Sequence, residues 1–159
     1  MKVNRLDVCI KLLNDDNGVG TEVLHNLLVQ LESQWHPELK NKSDAMFEYA
    51  EKIYTKAVVL GAYSIEGETL GVAAFYGNDQ ATKQGYLTYI ALFEQYTRQG
   101  IGQYLLNAVE EKAIAMGMTS MKLEVKKTNS RALNLYANKG YVKVADATEH
   151  SIYMCRKVV

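Results

Sequence analysis

The chain has 159 residues, 48% of them hydrophobic, and its 18 basic and 18 acidic side chains cancel to zero net charge. That length suits one domain, residues 1–159, with a core that needs neither disulfides nor metal. Mixed charge without a basic stripe argues against nucleic acid as a partner, and no apolar run reaches membrane-spanning length.

Taken in order, Leu6, Val8, Ile10 and Leu12 alternate with Arg5, Asp7, Cys9 and Lys11, the period of a half-buried strand. The same charges interrupt the apolar run of residues 1–13 and argue against a signal peptide. Turn chemistry at Asp15–Gly20 precedes a helix with Val23, Leu24, Leu27, Leu28 and Leu31 on one face. A polar connector over residues 34–42 leads to a second helix, for which Ser43 is an N-cap and Met46, Phe47, Ala50, Ile53 and Tyr54 form the apolar face. Residues 57–63 and 69–76 read as strands joined by a hairpin turn at 64–68, and 77–85 as a polar loop. Leu87–Phe93 is apolar, aromatic and β-branched, as a buried strand would be. A helix then opens through Gly100 and Gly102 and closes at Gly117. Met121, Leu123 and Val125 mark another strand, Arg131–Lys139 a short helix closed by Gly140, and residues 141–145 and 151–157 a final antiparallel pair. The order is β-α-α-β-β-β-α-β-α-β-β, a mixed sheet containing one βαβ unit rather than a doubly wound fold. Cys9 and Cys155 fall in strands and read as two free buried thiols of a cytoplasmic protein. The three histidines, His25, His36 and His150, have no ligand spacing, so no metal is expected.

Gly100 and Gly102 sit where a helix presents unpaired N–H groups and partial positive charge, and glycine lets an anion approach the backbone. A P-loop is excluded because no Gly-x-x-x-x-Gly-Lys-Ser/Thr run exists. A dinucleotide fingerprint fails because Leu105 stands at its third glycine. An ordinary tight turn remains the competing reading of the glycines alone.

A second constellation lies downstream: Asn129, Ala132, Leu135, Tyr136, Gly140 and Tyr141, in the pattern Asn-x-x-Ala-x-x-Leu-Tyr-x-x-x-Gly-aromatic. With the glycine turn one helix and one strand upstream, the chain resembles the GCN5-related N-acetyltransferase (GNAT) superfamily. The motifs cover roughly residues 86–141, and the element order extends the likeness along the chain. The resemblance implies an α/β fold, a mixed sheet of six to seven strands with a splayed parallel pair and about four helices. It implies acetyl-CoA as cosubstrate, its pantetheine on the backbone of Ile90, Ala91 and Leu92. The pyrophosphate would lie on Thr97, Arg98, Gln99, Gly100, Ile101, Gly102 and Gln103, with Asn129 also touching CoA. Two departures stand out. Thr97 occupies the usual Arg or Gln position, with Arg98 one residue late, and Glu94 replaces a common proline.

Acetyl transfer to an amine needs a neutral nucleophile, donors for a developing oxyanion and a proton for the departing thiolate. The resemblance makes Tyr136 the general acid and places the oxyanion donor near Ala91 or Leu92. Packing with Ala132 and Leu133 is the bland alternative for Tyr136. Glu124, twelve residues before Tyr136, has the spacing of the base in ribosomal-protein alanine acetyltransferases, although a solvated strand face explains it equally; a water relay is the alternative base. Candidate acceptor-wall residues are Trp35, His36, Tyr76, Asn78, Asp79 and Tyr89, since aromatic walls with a carboxylate suit a small ammonium-bearing substrate. The expected activity is direct acetyl transfer to a small primary amine, such as an amino sugar, amino acid or polyamine, by a monomer or homodimer. Acetylation of a protein N-terminus and a non-catalytic CoA-binding module are the alternatives.

Overall fold

The computed structural model describes Val3, residues 7–38 and residues 43–159, with only the backbone of Ser43. Arg5 and Leu6 of the expected first strand, the end of the connector and the capping side chain of Ser43 lie outside the described residues.

Among the described residues seven strands form one sheet in the order β1-β2-β3-β4-β5-β7-β6. Along the chain these are β1 (Cys9–Leu12), β2 (Val58–Tyr63), β3 (Thr69–Tyr76), β4 (Gln84–Leu92), β5 (Ser120–Lys126), β6 (Val142–Asp146) and β7 (Ser151–Lys157). Among the described residues four α-helices accompany them: α1 (Thr21–Ser33), α2 (Ser43–Lys56), α3 (Ile101–Ala115) and α4 (Ser130–Asn138). Every strand pair is antiparallel except β4–β5, where α3 makes the crossover that a parallel pair requires.

Strand alternation divides the apolar residues between two cores. On one face Leu60, Ala73, Phe75, Leu87, Met121, Leu123 and Val125 pack with Ile101, Leu105, Leu106 and Val109 of α3 and Tyr136 of α4. On the other, Val59, Val72 and Ala74 meet Leu24, Leu28 and Leu31 of α1 and Ala50 and Ile53 of α2. The expected helix faces are narrower than their patterns, since Val23, Phe47 and Ile114 remain exposed. The closing glycines are where expected, Gly117 at φ 92° and Gly140 at φ 95°.

The cysteines correct the expectation of burial. Both are free, but Cys9 is exposed and Cys155 only half-buried. β1 is an edge strand, and the alternation that buries Val8 turns Cys9 outward with Lys11. Among the described residues no helix is long and apolar enough to cross a membrane.

Candidate active site

β4 and β5 pair only from Gln84/Ser120 to Leu87/Leu123, after which β4 continues to Leu92 and β5 to Lys126 without pairing to each other. The strands part where β4 carries a bulge. Ala74 of β3 faces Tyr89 while Phe75 faces Leu87, so Thr88 is the extra residue. Tyr49 of α2 anchors the bulge, its hydroxyl lying 3.1 Å from the Thr88 carbonyl oxygen and 2.8 Å from Thr88 Oγ1.

Beyond the bulge β4 stays paired with β3. Phe93 donates its N–H to the Leu70 carbonyl at 2.9 Å. Strand alternation therefore turns the backbone of Ala91 toward Val72 of β3, and that of Ile90 and Leu92 into the gap beside β5. Gln34, just past α1, holds the end of this edge. Its Oε1 accepts the Glu94 N–H at 2.7 Å, and its Nε2 lies 3.5 Å from the Leu92 carbonyl oxygen. A proline at position 94 would have no N–H to give Gln34, so the departure at Glu94 is used structurally.

The gap runs onto the start of α3. Arg98 has φ 63° and Gly100, the N-cap, has φ 81°, and no side chain caps the helix. Its first N–H groups are thus available to an anion, beside the positive end of the helix dipole. Ile101 is fully buried, so only its backbone faces the gap's end, while Gln103 is exposed. A Cβ at Gly102 would stand 3.6 Å from Leu92 Cδ1 and 3.7 Å from Leu135 Cδ2, which places this glycine between the end of β4 and α4. Thr97 turns its hydroxyl back onto the Glu94 carbonyl at 2.7 Å. The Gln99 side chain spans Val3 N–H and the Gln95 carbonyl.

Tyr136 projects from α4 into the core beside Leu123 and Val125, 5% exposed. Its ring is tilted 60° against that of Tyr141 at 5.8 Å. Burial alone pushes its pKa well above the phenol value, so the hydroxyl is a protonated donor. Asn129 caps α4, its side chain accepting the Ala132 N–H at 3.1 Å.

Glu124 lies on the opposite face of β5 from Leu123 and Val125. It is exposed and accepts a hydrogen bond from the buried Ser151 hydroxyl at 2.6 Å. Its charge helps raise the Tyr86 pKa, second to burial. Lys122, two residues earlier, stands 4.2 Å over the Tyr153 ring. On this same face, toward α1 and α2, Tyr89 meets Tyr49 at 6.3 Å between ring centroids and donates to Glu32 Oε1 at 2.7 Å. Tyr76 joins that group through its packing with the α1–α2 core.

The six expected acceptor residues separate accordingly. Tyr76 and Tyr89 fall in the tyrosine group. Trp35 is exposed, and the Arg131 guanidinium of α4 stands 5.7 Å from its ring. His36 is exposed and 3.6 Å from Glu38. Asn78 and Asp79 are brought elsewhere, to the opposite end of β4 from the gap. There Asp79 closes a turn by accepting the N–H groups of Ala81 and Thr82 at 3.1 Å. Gln34, Glu32, Tyr49 and Ser151 were not legible as site residues. Each is a polar or aromatic side chain whose partner is distant in sequence, and no local pattern marks it.

A parallel strand pair that opens onto an uncapped helix start defines a fold that can hold a phosphate-bearing thioester along a strand edge. The sequence model of the acetyltransferase (GNAT) family matches residues 21–141, and the chain belongs to that family. An N-alpha-acetyltransferase of Sulfurisphaera tokodaii is 40% identical over 63 residues, 39% of this chain and 38% of that protein's length. The structure of a GNAT-family protein from Desulfovibrio desulfuricans superposes with a TM-score of 0.74 at 14% identity, over 96% of this chain and 99% of that one. PaiA N-acetyltransferase from Thermoplasma acidophilum, solved with coenzyme A, gives 0.73 at 18% identity over 94% and 98%.

Proposed function

We propose that the protein is a cytoplasmic enzyme transferring the acetyl group of acetyl-CoA directly to a primary amine of a small molecule. The observation that carries this reading is the gap between β4 and β5, ending on the uncapped start of α3. Acetyl-CoA supplies an acetyl group activated as a thioester. Ile90 and Leu92 offer backbone groups to its pantetheine, and Thr97–Gln103 offer N–H groups to its phosphates. The two free cysteines fit a reducing compartment.

In the transfer, the amine nitrogen forms a bond to the acetyl carbon and the carbon–sulfur bond breaks. Of the two oxyanion positions anticipated, Ala91 has its N–H turned to β3, which leaves the Leu92 N–H for the acetyl oxygen. Tyr136 gives its proton to the departing sulfur. Glu124 takes the proton lost by the amine, directly or through one water, and the Ser151 hydroxyl holds its carboxylate in place.

Acetylation of a peptide N-terminus is favoured by one observation, the 63-residue likeness to an N-alpha-acetyltransferase. An assay of CoA release from acetyl-CoA, run over a panel of small amines and short peptides, separates the two. Turnover with amino sugars, amino acids or polyamines supports the proposal, and turnover with peptides alone overturns it in favour of the second reading. No release with any acceptor leaves a CoA-binding module.

A further inference from the structure

Glu32 is a half-buried carboxylate at the C-terminal end of α1, facing the sheet beside the gap. One oxygen accepts the Tyr89 hydroxyl at 2.7 Å, and among the described residues no Lys, Arg or His pairs with it. Tyr89, buried beside it, is pushed well above the ordinary phenol range, by burial first and by the Glu32 charge second. Tyr49 is raised as well, burial leading and the charge of Glu32 contributing.

The tyrosines continue from this point toward the reacting end. Tyr49 joins Tyr89 to the bulge at Thr88, and Tyr86, three residues before Tyr89 on the same strand, lies within the field of Glu124. Glu32 and Glu124 therefore lie on the same face of the sheet, each beside a tyrosine of β4. Glu124 has the reacting amine to serve, and Glu32 has no cationic partner among the described residues. Aromatic faces favour cations, and a half-buried carboxylate pairs with a cationic nitrogen more strongly than an exposed one does.

We propose that Glu32 is a specificity-determining residue that binds a second cationic nitrogen of the acceptor, so that the preferred substrates are diamines or longer polyamines rather than monoamines. This inference rests on the reading of the protein as a small-amine acetyltransferase. It selects within that class by a carboxylate that has no cationic partner among the described residues, by the tyrosines around it and by its place on the same face of the sheet as Glu124.

The test compares 1,5-diaminopentane with pentylamine, which share a chain length and differ in one charge. In the wild type the diamine should show a KM at least ten-fold lower, and that advantage should shrink as salt is raised. Glu32→Gln keeps an acceptor for the Tyr89 hydroxyl and removes the charge. It should raise the diamine KM about ten-fold with little change in kcat, leave pentylamine within two-fold, and abolish calorimetric binding of the diamine measured without acetyl-CoA. Acetylation of both amines by the wild type with equal KM overturns the role of Glu32 while leaving the small-amine reading intact. Turnover of peptides but of neither amine overturns both. If Glu32→Gln does not fold, the wild-type comparison and its salt dependence decide the matter alone.

Discussion

Replacing Tyr136 by Phe separates chemistry from packing unusually well at this position. The ring fills a buried space beside Tyr141, Leu123 and Val125, and Phe fills the same space. Among the described residues no hydrogen bond involves the Tyr136 hydroxyl, so none is forfeited when it goes. Stability should therefore change by less than about 0.5 kcal/mol in urea unfolding. Turnover should fall far more. A positioned general acid contributes about 10²- to 10⁴-fold, equivalent to roughly 3–5 kcal/mol of barrier. The loss should appear in kcat with the KM for acetyl-CoA unchanged, as expected for an interaction made only in the transition state. Because burial holds the phenol protonated well above its usual range, wild-type kcat should show no alkaline decline from this group between about pH 6 and 9. Unaltered kcat in the variant, or a change confined to KM, would refute the assignment of Tyr136 as the acid.

Glu110→Gln should cost about 3 kcal/mol, lowering Tm by roughly 6–12 °C in calorimetry. The carboxylate is 4% exposed and binds Arg156 at 2.8 Å, Lys139 at 2.9 Å and the Tyr141 hydroxyl at 2.8 Å, and its loss strands two cations. A loss under about 1 kcal/mol would show that the partial exposure of Arg156 lets water replace the pair. Stability should also fall above about pH 10. Tyr89, Tyr136 and Tyr141 all have pKa values raised in the fold, chiefly by burial, so there the unfolded chain binds fewer protons. The contribution is full below the unfolded phenol value and is lost as pH climbs, by about 4 kcal/mol per pH unit for three groups; urea midpoints that stay flat to pH 11.5 would contradict it. Gln34→Ala should free the end of β4 and raise the KM for acetyl-CoA about five-fold while costing about 1 kcal/mol of stability. An unchanged KM would mean that this edge needs no such support.

Much of the fold was legible because its elements carry strong local signals. Met121, Leu123 and Val125 alternate cleanly, and Gly117 and Gly140 end helices where the chain needs a positive φ. The motif around Asn129 and Tyr136 survived because it is local too: a cap and an inward tyrosine seven residues later on one short helix. The gap was expected from the family resemblance alone, since hydrophobic periodicity describes each strand and says nothing about where two strands cease to pair. Glu110 would read as a solvated helix carboxylate until α3, α4 and β7 are brought together around it. Asn78 and Asp79 show the opposite error of proximity: their loop leads into the key strand, but at its far end, where Asp79 serves a turn.

The central claim is that acetyl-CoA lies along β4 with its phosphates on the start of α3, and calorimetric titration of Gly100→Asp tests it most directly. Gly100 is left-handed, a conformation Asp tolerates better than most residues, and a carboxylate at a helix N-terminus does not destabilise the helix. The variant should therefore fold as the wild type does. The new charge nevertheless occupies the place assigned to the phosphates. Acetyl-CoA should bind the wild type and lose at least 100-fold in affinity, about 3 kcal/mol, in the variant. Equal affinity in the two proteins would contradict the placement.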